Sequence, residues 1–239
     1  MGEIKSEIES ALELGKQTAE DETQGKKWGF WNSSPFDYEL TEGGISVFKT
    51  VLPEGIYGFV EQRKLLGQKV YVADLLSTPA MLTHLNIDGG VAIGLGNPPL
   101  KEFQHTMSQK NISYIPGNIL TKKPWIGLSE WKKEHQIPGF DLIISRAQMH
   151  PHHHKFIPNH PEVYFSLLNK AWKLLNPNEG TLVFDIPIFE SGEPVGNDGI
   201  EEWLKTLKQN GIEFKYSEYS ALKLVRHQNS PERLPSSPV

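Results

Sequence analysis

The sequence predicts an α/β domain, a mostly parallel seven-stranded sheet with helices on both faces and an antiparallel last strand. Three observations predict it. From Gln68 onward, strand-sized apolar runs alternate with amphipathic helical stretches, the pattern of strand–helix–strand units. The last two strand-like runs have no helix between them, which calls for an antiparallel ending. The chain has 239 residues, 38% of them hydrophobic and 22% charged, enough for one α/β domain with a sizeable core and terminal additions.

The elements follow in order. Residues 2–21 read as an amphipathic helix, with Ile4, Ile8, Ala11, Leu12 and Ala19 near one face. Residues 22–27 read as a linker. An aromatic cluster follows (Trp28, Phe30, Trp31, Phe36, Tyr38); it either packs this segment on the main domain or caps a pocket. Ile45–Leu52 suits a strand and Tyr57–Leu66 a helix. Lys69–Leu76 is a buried strand; Ser77 and Thr78 can cap the next helix, and Pro79 suits its first turn. Gly90–Leu95 is a second strand, Pro98–Lys110 a helix and Ile112–Ile115 a third strand. Residues 121–139 hold Trp125, Trp131 and one short helix. Phe140–Ser145 is a fourth strand, Pro161–Leu175 a helix, Asn176–Gly180 a turn and Thr181–Ile186 a fifth strand. A helix over Ile200–Gln209 ends at Asn210-Gly211, and strands Ile212–Tyr216 and Ala221–Arg226 close the domain. The expected organisation is an N-terminal helical and aromatic extension over residues 1–66, packed on the core. An α/β domain spans residues 67–228, and a flexible tail rich in proline and serine spans 229–239.

Composition removes several chemistries. The chain has no cysteine, so disulfides, thiolate zinc sites, iron–sulfur clusters and cysteine nucleophiles are excluded. The net charge of −5 offers no basic surplus for nucleic acid. No apolar stretch approaches the roughly 20 residues of a membrane helix, and Met-Gly-Glu-Ile-Lys is not a secretory signal. A soluble, cytoplasmic protein that binds no membrane is the expectation.

Three segments carry a family resemblance. They are Val-Ala-Asp-Leu-Leu-Ser-Thr-Pro-Ala at 72–80, Gly-Phe-Asp-Leu-Ile-Ile-Ser-Arg-Ala at 139–147, and Ala-Trp-Lys-Leu-Leu-Asn-Pro-Asn-Glu-Gly-Thr-Leu-Val-Phe at 171–184. With the strand–helix order, they resemble the Rossmann-like fold of class I S-adenosylmethionine-dependent methyltransferases over about two-thirds of the chain. The resemblance implies S-adenosylmethionine as cofactor, held on loops at the carboxyl ends of the strands. It places Asp74, Leu76, Ser77 and Thr78 after the first strand, Gly96 and Asn97 after the second, Gly117, Asn118 and Ile119 after the third, and Ser145 at the end of the fourth. Asp74 matches the acidic residue that ends the family's first strand, and it can equally be a buried charge held by backbone N–H groups. The chain departs from the family in its loop: Leu76, Thr78 and Ala80 stand where glycines usually allow positive φ and close backbone approach. Asn97 stands where an acidic residue usually holds the ribose, and Asn118 where Gly-Asp-Ile usually meets the adenine.

After the fourth strand comes Met-His-Pro-His-His-His at 149–154, with His160 nearby. Arg146 can hold a carboxylate or phosphate of a substrate, and His150 can act as general base because imidazole titrates near neutrality. His152 and His154 are weaker candidates for a metal site, since neighbouring histidines in an extended segment point apart and no carboxylate lies among them. A solvated polar loop is the remaining interpretation. Gly-Leu-Gly-Asn-Pro-Pro at 94–99 lacks the third glycine and the lysine of a phosphate loop. Three functions are thereby open. One is a methyltransferase acting on a small molecule or a protein side chain. The second is a catalytically inactive scaffold of the same fold, and the third a metal-binding protein using His150–His154. Neither the methyl acceptor nor the oligomeric state is legible in the sequence.

Overall fold

The computed structural model describes residues 2–23, 48–76, 79–95, 101–145, 160–185, 197–217 and 221–236. Its elements in chain order are α1 (Gly2–Thr23), α2 (Gly55–Leu65), β1 (Tyr71–Leu75), α3 (Ala80–His84), β2 (Gly89–Gly94), α4 (Lys101–Gln109), β3 (Ile112–Pro116), α5 (Lys123–Glu134), β4 (Leu142–Ser145), α6 (Pro161–Leu174), β5 (Gly180–Asp185), α7 (Asn197–Gln209), β6 (Glu213–Tyr216) and β7 (Ala221–Arg226). The seven strands form one sheet in the order β3-β2-β1-β4-β5-β7-β6. The pairs among β1 to β5 are parallel, whereas β7 runs antiparallel to both β5 and β6. This is the mostly parallel seven-stranded sheet with an antiparallel last strand that the strand–helix order predicts.

Alternation along each strand divides the core into two layers. Val72, Ala92, Leu142, Ile144 and Val183 face one cluster with Phe59 of α2, Leu82 of α3 and Met107 of α4. Ala73, Leu75, Val91, Ile93, Ile143, Leu182 and Phe184 face the other, with Trp125 and Trp131 of α5, Leu168 and Trp172 of α6, and Trp203 of α7. Burial on both faces explains why these strands read as unbroken apolar runs.

The base of the sheet is tied by Asp141, which is 4% exposed. Its carboxylate accepts the Tyr71 N–H at 2.8 Å and the Asn176 amide at 2.9 Å, with the Arg63 guanidinium 3.9 Å away. Just beside it the Asn176–Gly180 turn needs glycine at its end. A methyl group on Gly180 would lie 2.6 Å from the Asn176 carbonyl oxygen, closer than any carbon can approach backbone.

Several expectations change. Residues 48–51, expected within a strand over Ile45–Leu52, are helical and bury Phe48, Val51 and Leu52. Pro79 is the N-cap of α3 rather than its first helical residue. The helix within 121–139 is a full twelve residues. The tail is not free from residue 229: through residue 236 it straps α6 to α7. Trp172 Nε1 donates to the Pro231 carbonyl at 2.9 Å, Trp203 Nε1 to the Pro235 carbonyl at 3.0 Å, and the Leu234 N–H to Asn169 Oδ1 at 2.9 Å. Leu234 is buried beneath the strap and supplies the apolar anchor that the proline-rich composition concealed. The aromatic cluster at residues 28–38 lies outside the described residues. Among the described residues, no helix is long and apolar enough to cross a membrane.

Candidate functional site

In an open α/β sheet a ligand crevice forms at the carboxyl ends of the strands, where successive connections leave in opposite directions. Here that place lies between β1 and β4, because the chain moves outward from β1 to β2 and β3 and then returns to β4 on the other side. Leu75 and Ser145, the last residues of the two strands, are paired across it.

Six of the expected site residues fall at this end. Asp74 and Ser145 are both fully buried. Their side chains do not converge: strand alternation turns Asp74 toward α3, the helix that follows the first loop, and Ser145 toward α5 and α6. Ser145 Oγ is buried with no hydrogen-bond partner among the described residues.

Leu76, the residue after β1, has an unusual backbone. It has φ 65°, the left-handed conformation that glycine adopts freely and a leucine adopts at a cost. The leucine side chain, 9% exposed, joins the core cluster that includes Ile119 and Trp125.

The turn after β3 is locked from several sides. The Gly117 N–H donates to the Gly94 carbonyl at 2.8 Å, tying the ends of β2 and β3. A methyl group on Gly117 would lie 2.8 Å from the Pro124 ring of α5. Ile119 is fully buried, and its carbonyl accepts the Trp125 Nε1–H at 2.7 Å. Asn118 Oδ1 accepts the Leu120 N–H at 2.9 Å, which fixes the amide so that Nδ2 is its outward donor. That Nδ2 is buried without a partner among the described residues.

The sequence did not disclose what lies above this turn. Ile4 and Ile8 of α1 pack against the α5–α6 cluster, Ala11 is buried, and Gly15 sits against Asn118. A methyl group on Gly15 would lie 2.9 Å from Asn118 Nδ2 and 3.4 Å from Leu95. Toward the other end of α1, Glu7 Oε2 lies 3.0 Å from Nε2 of His160, the residue before α6, without the alignment of a hydrogen bond. The signal was present, since Ile4, Ile8, Ala11 and Gly15 recur at i+4, i+3 and i+4. Glycine's poor helix propensity hid the last member.

Ser77, Thr78, Gly96, Asn97, Arg146, His150, His152 and His154 lie outside the described residues. Among the described residues no group of three or more histidine or acidic side chains could hold a metal ion.

The described residues fit S-adenosylmethionine. A left-handed turn ends β1, and two buried polar atoms without partners, Asn118 Nδ2 and Ser145 Oγ, stand at the carboxyl ends of β3 and β4. Buried polar atoms are rarely left without hydrogen bonds unless something else supplies them.

No protein-family model matches the chain, and no curated protein matches it. Solved structures do. The chain is similar to 1,6-didemethyltoxoflavin-N1-methyltransferase of Burkholderia thailandensis, solved with 1,6-didemethyltoxoflavin and S-adenosylhomocysteine, at 13% identity and a TM-score of 0.47, over 90% of this chain and 87% of that one. It is similar to the 16S rRNA methylase ArmA at 12% identity and a TM-score of 0.37, over 88% and 96% of the two chains. A Streptococcus thermophilus protein described provisionally as a hemolysin is similar at 12% identity and a TM-score of 0.40, over 80% of this chain and 68% of that one. These identities are too low to transfer an activity.

Proposed function

We propose that the protein is an S-adenosylmethionine-dependent methyltransferase acting on a small molecule or a protein side chain. The observation that carries this reading is the pair of buried polar atoms without partners among the described residues, Asn118 Nδ2 and Ser145 Oγ, at the switch-point end of a methyltransferase-type sheet. When bound, the cofactor supplies a sulfonium methyl group already activated for transfer, so the protein's task is positioning and exclusion of water.

The chain's own residues divide that task. Asp74 organises the loop after β1. Leu76, Ser77 and Thr78 serve the cofactor's amino-acid end, and Ser145 supplies a hydroxyl. Gly96 and Asn97 border the ribose side. Gly117, Asn118 and Ile119 form the base-binding turn, where Asn118 Nδ2 donates to a ring acceptor because Oδ1 is already engaged by Leu120. Arg146 and His150 follow Ser145 in the chain; Arg146 would hold an acidic group of the acceptor, and His150 would take the proton that the acceptor loses.

Calorimetric titration with S-adenosylhomocysteine tests the proposal. Binding is expected, and Asn118→Ala should weaken it by roughly five- to tenfold, the worth of about one net hydrogen bond. Absence of heat and of thermal shift at millimolar ligand would overturn it. A non-catalytic binding protein of the same fold is favoured by one observation, the seating of Gly15 on Asn118; binding of the homocysteine product without methyl transfer to any acceptor class would select it.

A further inference from the structure

The turn after β3 has one property that cofactor binding alone does not require, the direction in which the Asn118 amide is held. We infer that Asn118 is a specificity residue of reversed polarity: it donates to a ring nitrogen of the base and does not read the 6-amino group of adenine. The ligands that fit it are purine nucleosides presenting a ring acceptor, with or without that amine. This inference rests on the cofactor reading and names what the base-binding turn would select.

The direction is fixed by the backbone. A side-chain amide has an acceptor end and a donor end. The Leu120 N–H can only donate, so the atom 2.9 Å from it is the oxygen. Turning the amide over would set two donors face to face. The turn that holds this arrangement is itself braced. The Thr121 N–H and hydroxyl both donate to the Asn118 carbonyl, at 2.9 and 2.7 Å, and the Trp125 indole N–H holds the Ile119 carbonyl at 2.7 Å. Nδ2 is thereby committed to the side away from Leu120.

No described residue answers that donor. Nδ2 is buried without a hydrogen-bond partner among the described residues. Gly15, which packs against it, has no side chain that could accept, and Leu95 beside them is apolar. A buried donor is normally satisfied by something, which leaves the acceptor to the ligand. Adenine offers lone pairs at its ring nitrogens and hydrogens at its 6-amino group. Nδ2 against the amine would set hydrogen against hydrogen, whereas Nδ2 against a ring nitrogen makes the missing bond. Aspartate here would do the opposite. One carboxylate oxygen would keep the Leu120 N–H, and the other would present an acceptor to the base.

Calorimetric titration with two ligands tests the inference: S-adenosylhomocysteine, and its analogue with hydrogen in place of the 6-amino group. The ratio of the two affinities reports what the amine contributes. In Asn118→Ala both ligands should weaken together and the ratio should stay within threefold of the wild-type value; a larger fall in the ratio means that Asn118 does read the amine and overturns the inference. In Asn118→Asp the ratio should rise at least fivefold in favour of the amine, as a hydrogen bond to a charged acceptor requires; a smaller rise also overturns it. A measurement on wild-type protein is independent of either variant's folding. In nitrogen-15 spectra, one Asn118 side-chain amide proton should move downfield on saturation with the amine-free analogue as it does with S-adenosylhomocysteine, and no movement with the analogue would overturn the inference. Wild-type protein that binds neither ligand overturns the cofactor reading, and the role of Asn118 falls with it.

Discussion

Glu179 and Leu76 both hold side chains on left-handed backbone, with φ of 77° and 65°, yet they should respond in opposite directions to glycine. The conformation costs an L-residue about 1–2 kcal/mol. Glu179 is exposed and loses nothing buried on truncation. After allowing for the added freedom of glycine in the unfolded chain, Glu179→Gly should stabilise by up to about 1 kcal/mol and raise Tm by about 2–4 °C. Leu76→Gly relieves the same strain but removes a buried leucine, a loss of about 3–5 kcal/mol, so a net destabilisation of about 2 kcal/mol is expected. Urea unfolding of the three proteins checks both. At this scale the sequence is legible where sterics leave one choice. Gly180 is readable within its Leu-Asn-Pro-Asn-Glu-Gly turn because the Asn176 backbone and the Leu175 side chain crowd it. The left-handed turn at Leu76 is not readable, because the residue type argues against the conformation that the surrounding fold imposes. The role of Asn118 is half legible: its position follows from the turn, but which of its amide atoms faces the crevice depends on the Leu120 N–H.

Strands and long helices were the easiest elements to read, since burial on one or both faces writes itself into the apolar pattern. Segments held by a few point contacts were not. The helical residues 48–51 contain Val51 and other β-favouring residues, and burial of Phe48, Val51 and Leu52 against α2 decides their conformation. The strap over residues 231–236 has the composition of a free tail, and only three hydrogen bonds and one leucine distinguish it from one. Its removal is a test at this scale. A chain ending at residue 228 loses the burial of Leu234, about 2 kcal/mol, and exposes the indole N–H groups of Trp172 and Trp203 to solvent in place of carbonyl partners. A total loss of about 3 kcal/mol is expected from chemical denaturation. Tryptophan emission of the folded truncated protein should shift to the red. Unchanged stability would show that the strap is decoration.

The whole molecule was legible as a topology, because alternating elements and a helix-free ending allow few arrangements. The way its base is tied was not, since Asp141 joins β1, β4, the Asn176 turn and, through charge, α2. Burial pushes the Asp141 carboxyl above its ordinary 3.8, against the opposing hydrogen bonds from Asn176 and Tyr71 and the Arg63 charge. A raised value means that the folded protein keeps a proton that the unfolded chain releases. The stabilising contribution is therefore complete below 3.8 and is lost as pH rises through the folded value. The stability difference between wild type and Asp141→Asn should accordingly shift against wild type as pH rises from about 3.5 toward 7, measured by urea unfolding at each pH.

One further property follows from the position of β7. The final strand of the sequence is not the final strand of the sheet: it lies between β5 and β6, and β6 touches the sheet only through it. A ribosome delivers β5 some 40 residues before β7. Until then the outer edge of β5, carrying Leu182, Val183 and Phe184, has nothing to pair with. An uncovered apolar edge of this kind is a template for other chains. The nascent chain thus passes through a stage in which its own unfinished sheet offers an adhesive edge, and the arrival of β7 ends that exposure.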